Sequence, residues 1–119
     1  MPEGTEVRVE AAAESAAAAL LEQRFRALAA EWKEATKLSS SITDMATHPA
    51  YQQIIGMGKD ALPLLIRQLA ERPDHWFWAL KAISGEDPVP PESRGKLDAM
   101  AQAWVAWGKQ RGYLKNHDS

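Results

Sequence analysis

Apolar positions recur at helical spacing along most of this chain, and the clearest stretch is residues 54–89. Leu62, Leu65, Ile66 and Leu69 fall at i, i+3, i+4 and i+7, one stripe of an amphipathic helix. Gly56 and Gly58 break the chain ahead of it, and Asp60 is placed to cap it. Pro63 sits in the first turn, where a missing N–H costs nothing. Pro73 stops this helix, and Asp74 is the expected cap of a second one, whose stripe is Trp76, Ala79, Leu80 and Ile83. Gly85 supplies the residue after its end. Two stripes and a short linker predict an antiparallel helical hairpin. The run Trp76-Phe77-Trp78 exceeds what one hairpin face needs, because successive residues spread it over about 200° of helix surface. Either that helix is sandwiched between layers, or part of the run faces a partner.

The rest of the chain reads as packing around the pair. Residues 6–37 are rich in Ala, Glu, Leu and Arg with no internal Gly or Pro, which predicts one long helix. Ala18, Leu21, Phe25, Leu28, Trp32 and Ala35 form a heptad seam, sustained for about two and a half heptads. Phe25 to Trp32 either pack on the hairpin or pair with a second copy to give a homodimer. Residues 1–5 are expected to be disordered, and residues 1–22 form an Ala-rich arm, partly disordered or helical. Ser39, Ser40 and Ser41 offer caps, and residues 42–47 are ambiguous. His48-Pro49 marks a helix start, with Tyr51, Ile54 and Ile55 buried behind it and Met57 as a core plug. Residues 85–91 predict a stiff, Pro-rich loop with Val89 as its apolar anchor. Ser93 or Gly95 then introduces a last helix, where Leu97, Met100, Ala101, Trp104 and Trp107 share a stripe. Gly112 ends it, Tyr113 and Leu114 fold back, and Lys109 and Arg111 suit its negative end. No segment reads as a strand. The expected fold is all-α: a small helical bundle over residues 23–114, with 115–119 as a flexible tail.

The segment GKDALPLLIRQL followed by HWFWALKAISGEDPV resembles a HEAT-type helical repeat, in which paired helices stack into a protein-binding scaffold. The wider run from SSSITDMATHPAYQQIIGMG through WVAWGKQRGYL, about residues 25–114, resembles a family of small uncharacterised bacterial proteins. That likeness implies no activity, only a role beside a partner protein.

Composition narrows the function. At 119 residues the chain is one domain with a modest core, and 25% charged against 45% hydrophobic residues is ordinary for a globular protein. A net charge of -2 and a pI near 5.9 argue against a dedicated nucleic-acid binder. Without cysteine there is no disulfide, zinc-thiolate or thiol-nucleophile reading. The acidic start has no apolar signal region, and no apolar run reaches the roughly 18 residues of a membrane span. A cytoplasmic protein is expected. Ser40, Asp44 and His48 are the nearest thing to a catalytic set, but residues four apart on one short segment rarely converge, and capping explains them. Asp44 and His48 would need His75 or Asp74 to complete a metal site. No phosphate-binding glycine motif or other cofactor signature is present. Lys59, Arg67, Arg72, Lys81, Arg94 and Lys96 could line one edge, but acidic residues are interleaved with them.

The surplus of aromatics without a convergent polar site points to a non-catalytic protein-interaction module, such as an antitoxin, immunity-type or adaptor protein. Its expected contact residues are Phe77 and Trp78, off the core stripe, with Glu86, Asp87 and Val89 of the loop. The alternative is a nucleic-acid-associated protein using the basic edge, whose binding would fall steeply with salt.

Overall fold

The computed structural model describes residues 2–39 and 41–114, with side chains from residue 16 onward. Among them the fold is all-α. Six α-helices follow in order: α1 Pro2–Thr36, α2 Ile42–Thr47, α3 Pro49–Gly56, α4 Leu62–Glu71, α5 Phe77–Ser84 and α6 Leu97–Gln110. Short 3-10 turns at Gly58–Ala61 and Pro91–Ser93 precede α4 and α6. No strand is present among the described residues.

Helix α1 starts at Pro2, ahead of the residue 5 limit set for disordered chain, and its 35 residues would span about 52 Å. Among the side chains described, those of α1 that join the core lie between Phe25 and Trp32. Phe25, Leu28, Ala29 and Trp32 are buried, Leu21 is half-buried, and Ala18 and Ala35 are exposed. Within the chain α1 packs chiefly on α3. Residue 1, Ser40 and residues 115–119, the expected tail included, lie outside the described residues.

The connections between helices follow their capping chemistry. Ser41 Oγ accepts the Asp44 N–H at 3.2 Å and starts α2. His48 Nδ1 accepts the Ala50 N–H at 3.0 Å, with Pro49 as first helical residue of α3. Two expected caps are absent. Asp60 lies in the 3-10 turn, whose backbone runs straight into α4 with Ala61 already in helical geometry, so no side-chain cap forms. Asp74 accepts the N–H of its neighbour His75 at 2.7 Å, and Trp76 intervenes before α5 begins. At the other ends, Gly85 and Gly112 adopt the positive φ that stops α5 and α6. The Tyr113 N–H reaches back to the Gly108 carbonyl at 2.8 Å, folding the chain over the last turn of α6 as the spacing predicts.

Helices α4 and α5 are consecutive and touch, but each has a different main neighbour. α4 packs chiefly on α6, and α5 on α3. The stripe Leu62, Leu65, Ile66 and Leu69 is buried, together with Leu64. Trp104 and Ala101 oppose it from α6. Gly108 makes this contact close. A Cβ added there would lie 2.6 Å from Ile66 Cγ2, on a β-branched side chain with little freedom to move. Alanine normally stabilises a helix interior by about 1 kcal/mol over glycine. Overpacking costs about 1–3 kcal/mol. Gly108→Ala is therefore expected to destabilise by a net of up to about 2 kcal/mol in urea denaturation. In an Ile66→Ala background the same change is expected to cost nothing or to stabilise. Stabilisation of the parent by Gly108→Ala would show that α4 and α6 are not this close.

Candidate interaction groove

The Trp76-Phe77-Trp78 run is divided among three environments. Trp76 is 0% exposed, Phe77 9% and Trp78 45%. Trp76 turns towards α1 and α3. Its ring centroid lies 4.4 Å from Trp32, 5.6 Å from Tyr51 and 5.9 Å from Phe25, a closed aromatic cluster. Trp32 also donates its indole N–H to the Met45 carbonyl at 2.8 Å, which ties α1 to α2. The Trp76 and Trp104 indole N–H groups are buried without an acceptor among the described residues.

Tyr51 sets the position of α5. Its hydroxyl accepts the Ala79 N–H at 2.9 Å and donates to the His75 carbonyl at 3.0 Å. A side chain of α3 thus satisfies a first-turn N–H of α5, the task assigned to Asp74 from sequence. Burial pushes the Tyr51 phenol above its usual pKa range.

Phe77, on the next position, faces a second side. It lines a groove of about 660 Å³ between α2, α5 and the start of α6. Ala46 of α2, Tyr51 of α3 and Phe77 line it as buried residues, with Met100 half-buried beside them. Ile42, Trp78 and Leu97 line it as exposed residues. These are three of the five large apolar side chains that stand exposed among the described residues, and each comes from a different helix. Scattered apolar residues on a surface mean little, but several gathered in one concavity mark a binding surface. His75 and Lys81 share the lining, and the Tyr51 hydroxyl is engaged with α5.

The expected contact residues separate accordingly. Trp78 is exposed in the groove, as expected. Phe77 is only 9% exposed and lines the groove as part of its wall. Val89 is also buried, so it anchors its loop and is not a free contact. Glu86 and Asp87 are exposed but tied down. Glu86 accepts the Trp107 indole N–H at 3.2 Å and pairs with Arg111, whose guanidinium lies 5.0 Å from the Trp107 ring centre. Hydrogen bonds from Arg111 and then Trp107 hold the Glu86 carboxyl below its ordinary pKa. Asp87 accepts the Val89 N–H at 3.2 Å and pairs with Arg94 at 3.0 Å. Lys81 stands 3.7 Å from the same carboxylate.

The other candidate chemistries are distributed differently. Ser40 lies outside the described residues, and His48 Nδ1 serves α3 as its cap. Among the described residues no three His, Asp or Glu side chains gather to hold a metal. Of the basic edge, Lys81 and Arg94 both approach Asp87, while Lys59, Arg67, Arg72 and Lys96 are exposed. No described helix is long and apolar enough to cross a membrane.

Two groove residues were not singled out as contacts by the pattern. Ile42 lies in the ambiguous stretch after the serines, and Leu97 reads as an ordinary member of the α6 stripe. The one available signal was that both stand at the first position of their helices. There, an apolar residue can lean past the end of the element. No family model, curated protein or solved structure matches this chain, so the groove itself has to carry the functional reading.

Proposed function

We propose that this chain is a non-catalytic protein-interaction module, of adaptor, antitoxin or immunity type, that receives a segment of one partner protein in the Trp78 groove. The observation that carries the reading is the convergence of Ile42, Trp78 and Leu97 from three helices on one concavity of about 660 Å³. Exposed tryptophan in a concave, mostly apolar surface is the pattern of an interface anchor. Trp78 carries the side chain most suited to that role, because the fold leaves nearly half of it uncovered.

The test is affinity capture from the native host with the wild-type chain and Trp78→Ala side by side. The variant is first checked for unchanged helicity by circular dichroism. One protein in stoichiometric amount, lost with Trp78→Ala, is the expected result. Nucleic acid recovered in a salt-sensitive manner would instead favour the basic edge. Equal recovery of the same protein by both chains would remove the groove from the reading.

A further inference from the structure

Resting on that reading, we infer that the groove's occupant is an amphipathic helix of the partner, carrying an acidic residue beside its apolar face. Two features of the lining lead there. The first is charge. Lys81 is the one lining side chain with a permanent charge, and no carboxylate shares the lining. Its ammonium makes no hydrogen bond among the described residues. It stands 3.7 Å from Asp87, whose same oxygen is already bonded by Arg94 at 3.0 Å. The single charge of Asp87 is thus shared between Lys81 and Arg94, which leaves the cation at the groove wall only partly neutralised. A carboxylate on the occupant complements this arrangement, and a basic segment would meet repulsion.

The second feature is the shortage of hydrogen-bonding groups. Apart from Lys81, His75 and the Trp78 indole N–H, the side chains of the lining are apolar or, in Tyr51, already committed to the Ala79 N–H and the His75 carbonyl, so few groups could meet the backbone of an extended peptide. An extended peptide would bring unpaired backbone N–H and C=O groups against that surface, at a desolvation cost for each. Strand addition needs an exposed sheet edge, and the groove walls are helical. A helix satisfies its backbone internally and offers side chains at i, i+3, i+4 and i+7 to an apolar groove. A groove of about 660 Å³ has room for more than one such anchor.

The test places a photo-crosslinking residue at position 97, on the groove lip, and maps the segment of the captured partner to which it joins. A synthetic peptide of that segment is then titrated against the chain by calorimetry. The expected segment is apolar on one helical face with Asp or Glu beside it, and it gains helicity on binding. Lys81→Glu is expected to weaken it roughly tenfold, while Lys81→Arg retains most of the affinity. Reversing the peptide's acidic residue to lysine should restore binding to Lys81→Glu. A basic segment, a segment bound without helix gain, a crosslink to lipid, or indifference to Lys81→Glu would each overturn this inference while leaving a protein-binding groove in place. Failure to capture any single protein would remove both.

Discussion

Trp76→Ala is expected to destabilise the fold by about 3–5 kcal/mol, whereas Trp78→Ala, two residues on, is expected to cost no more than about 1 kcal/mol. The difference follows from where the two rings lie. Trp76 is wholly enclosed by Phe25, Trp32 and Tyr51, so truncating it opens a large cavity where three helices meet. Trp78 leaves 45% of its surface in water, and removing it opens no closed space. Urea denaturation followed by circular dichroism measures both. Trp76→Phe keeps a ring and removes the unpartnered indole N–H, so it is expected to cost less than Trp76→Ala. Equal losses at positions 76 and 78 would contradict the division of the aromatic run. The pair also separates stability from binding, since Trp78→Ala should remain folded while losing the partner.

Tyr51→Phe is expected to cost about 2–4 kcal/mol, although it removes a single oxygen. The ring remains in the aromatic cluster, so the loss falls on two backbone groups: the Ala79 N–H and the His75 carbonyl. The first is buried and the second partly so, and nothing else in the described structure serves the Ala79 N–H. The same hydroxyl predicts an alkaline limb in stability. The phenol's folded pKa lies above its unfolded value of about 10. Below pH ~10 both states are protonated and the contribution is whole. As pH rises beyond that, the unfolded chain releases the proton first, and stability falls towards the folded pKa. Denaturation between pH 9 and 11, on the order of the phenol's unfolded pKa, should therefore show a slope that is reduced in Tyr51→Phe. An unchanged slope would mean that the Tyr51 hydroxyl is free to ionise in the folded state.

The groove and its support were legible to different degrees. Trp78 is expected to face a partner because it stands off the stripe of Trp76, Ala79, Leu80 and Ile83, a statement about one helix, and it is exposed in the groove. Phe77 stands off that stripe too, yet it is buried in the groove wall. A single-helix stripe cannot register how far the rest of the fold buries the neighbouring face. Asp74 was assigned the cap of α5 from its position before the helix, but the group that serves the Ala79 N–H is 28 residues away in sequence. Gly108 has no local signature: inside a regular helix it reads as a weak point, and only Ile66 gives it a reason.

The sequence by itself determined the all-α class, the α4 stripe, the Ala101, Trp104 and Trp107 part of the α6 stripe, and the helix ends at His48, Gly85 and Gly112. All of these depend on periodicity and on backbone chemistry within one or two turns. Tertiary structure alone decided that α4 chooses α6 and α5 chooses α3, that Tyr51 caps α5, and that Ile42, Trp78 and Leu97 share one groove. Helical spacing states which face of an element is apolar, but not which other element covers it. That choice depends on shape and close packing between segments far apart in the chain.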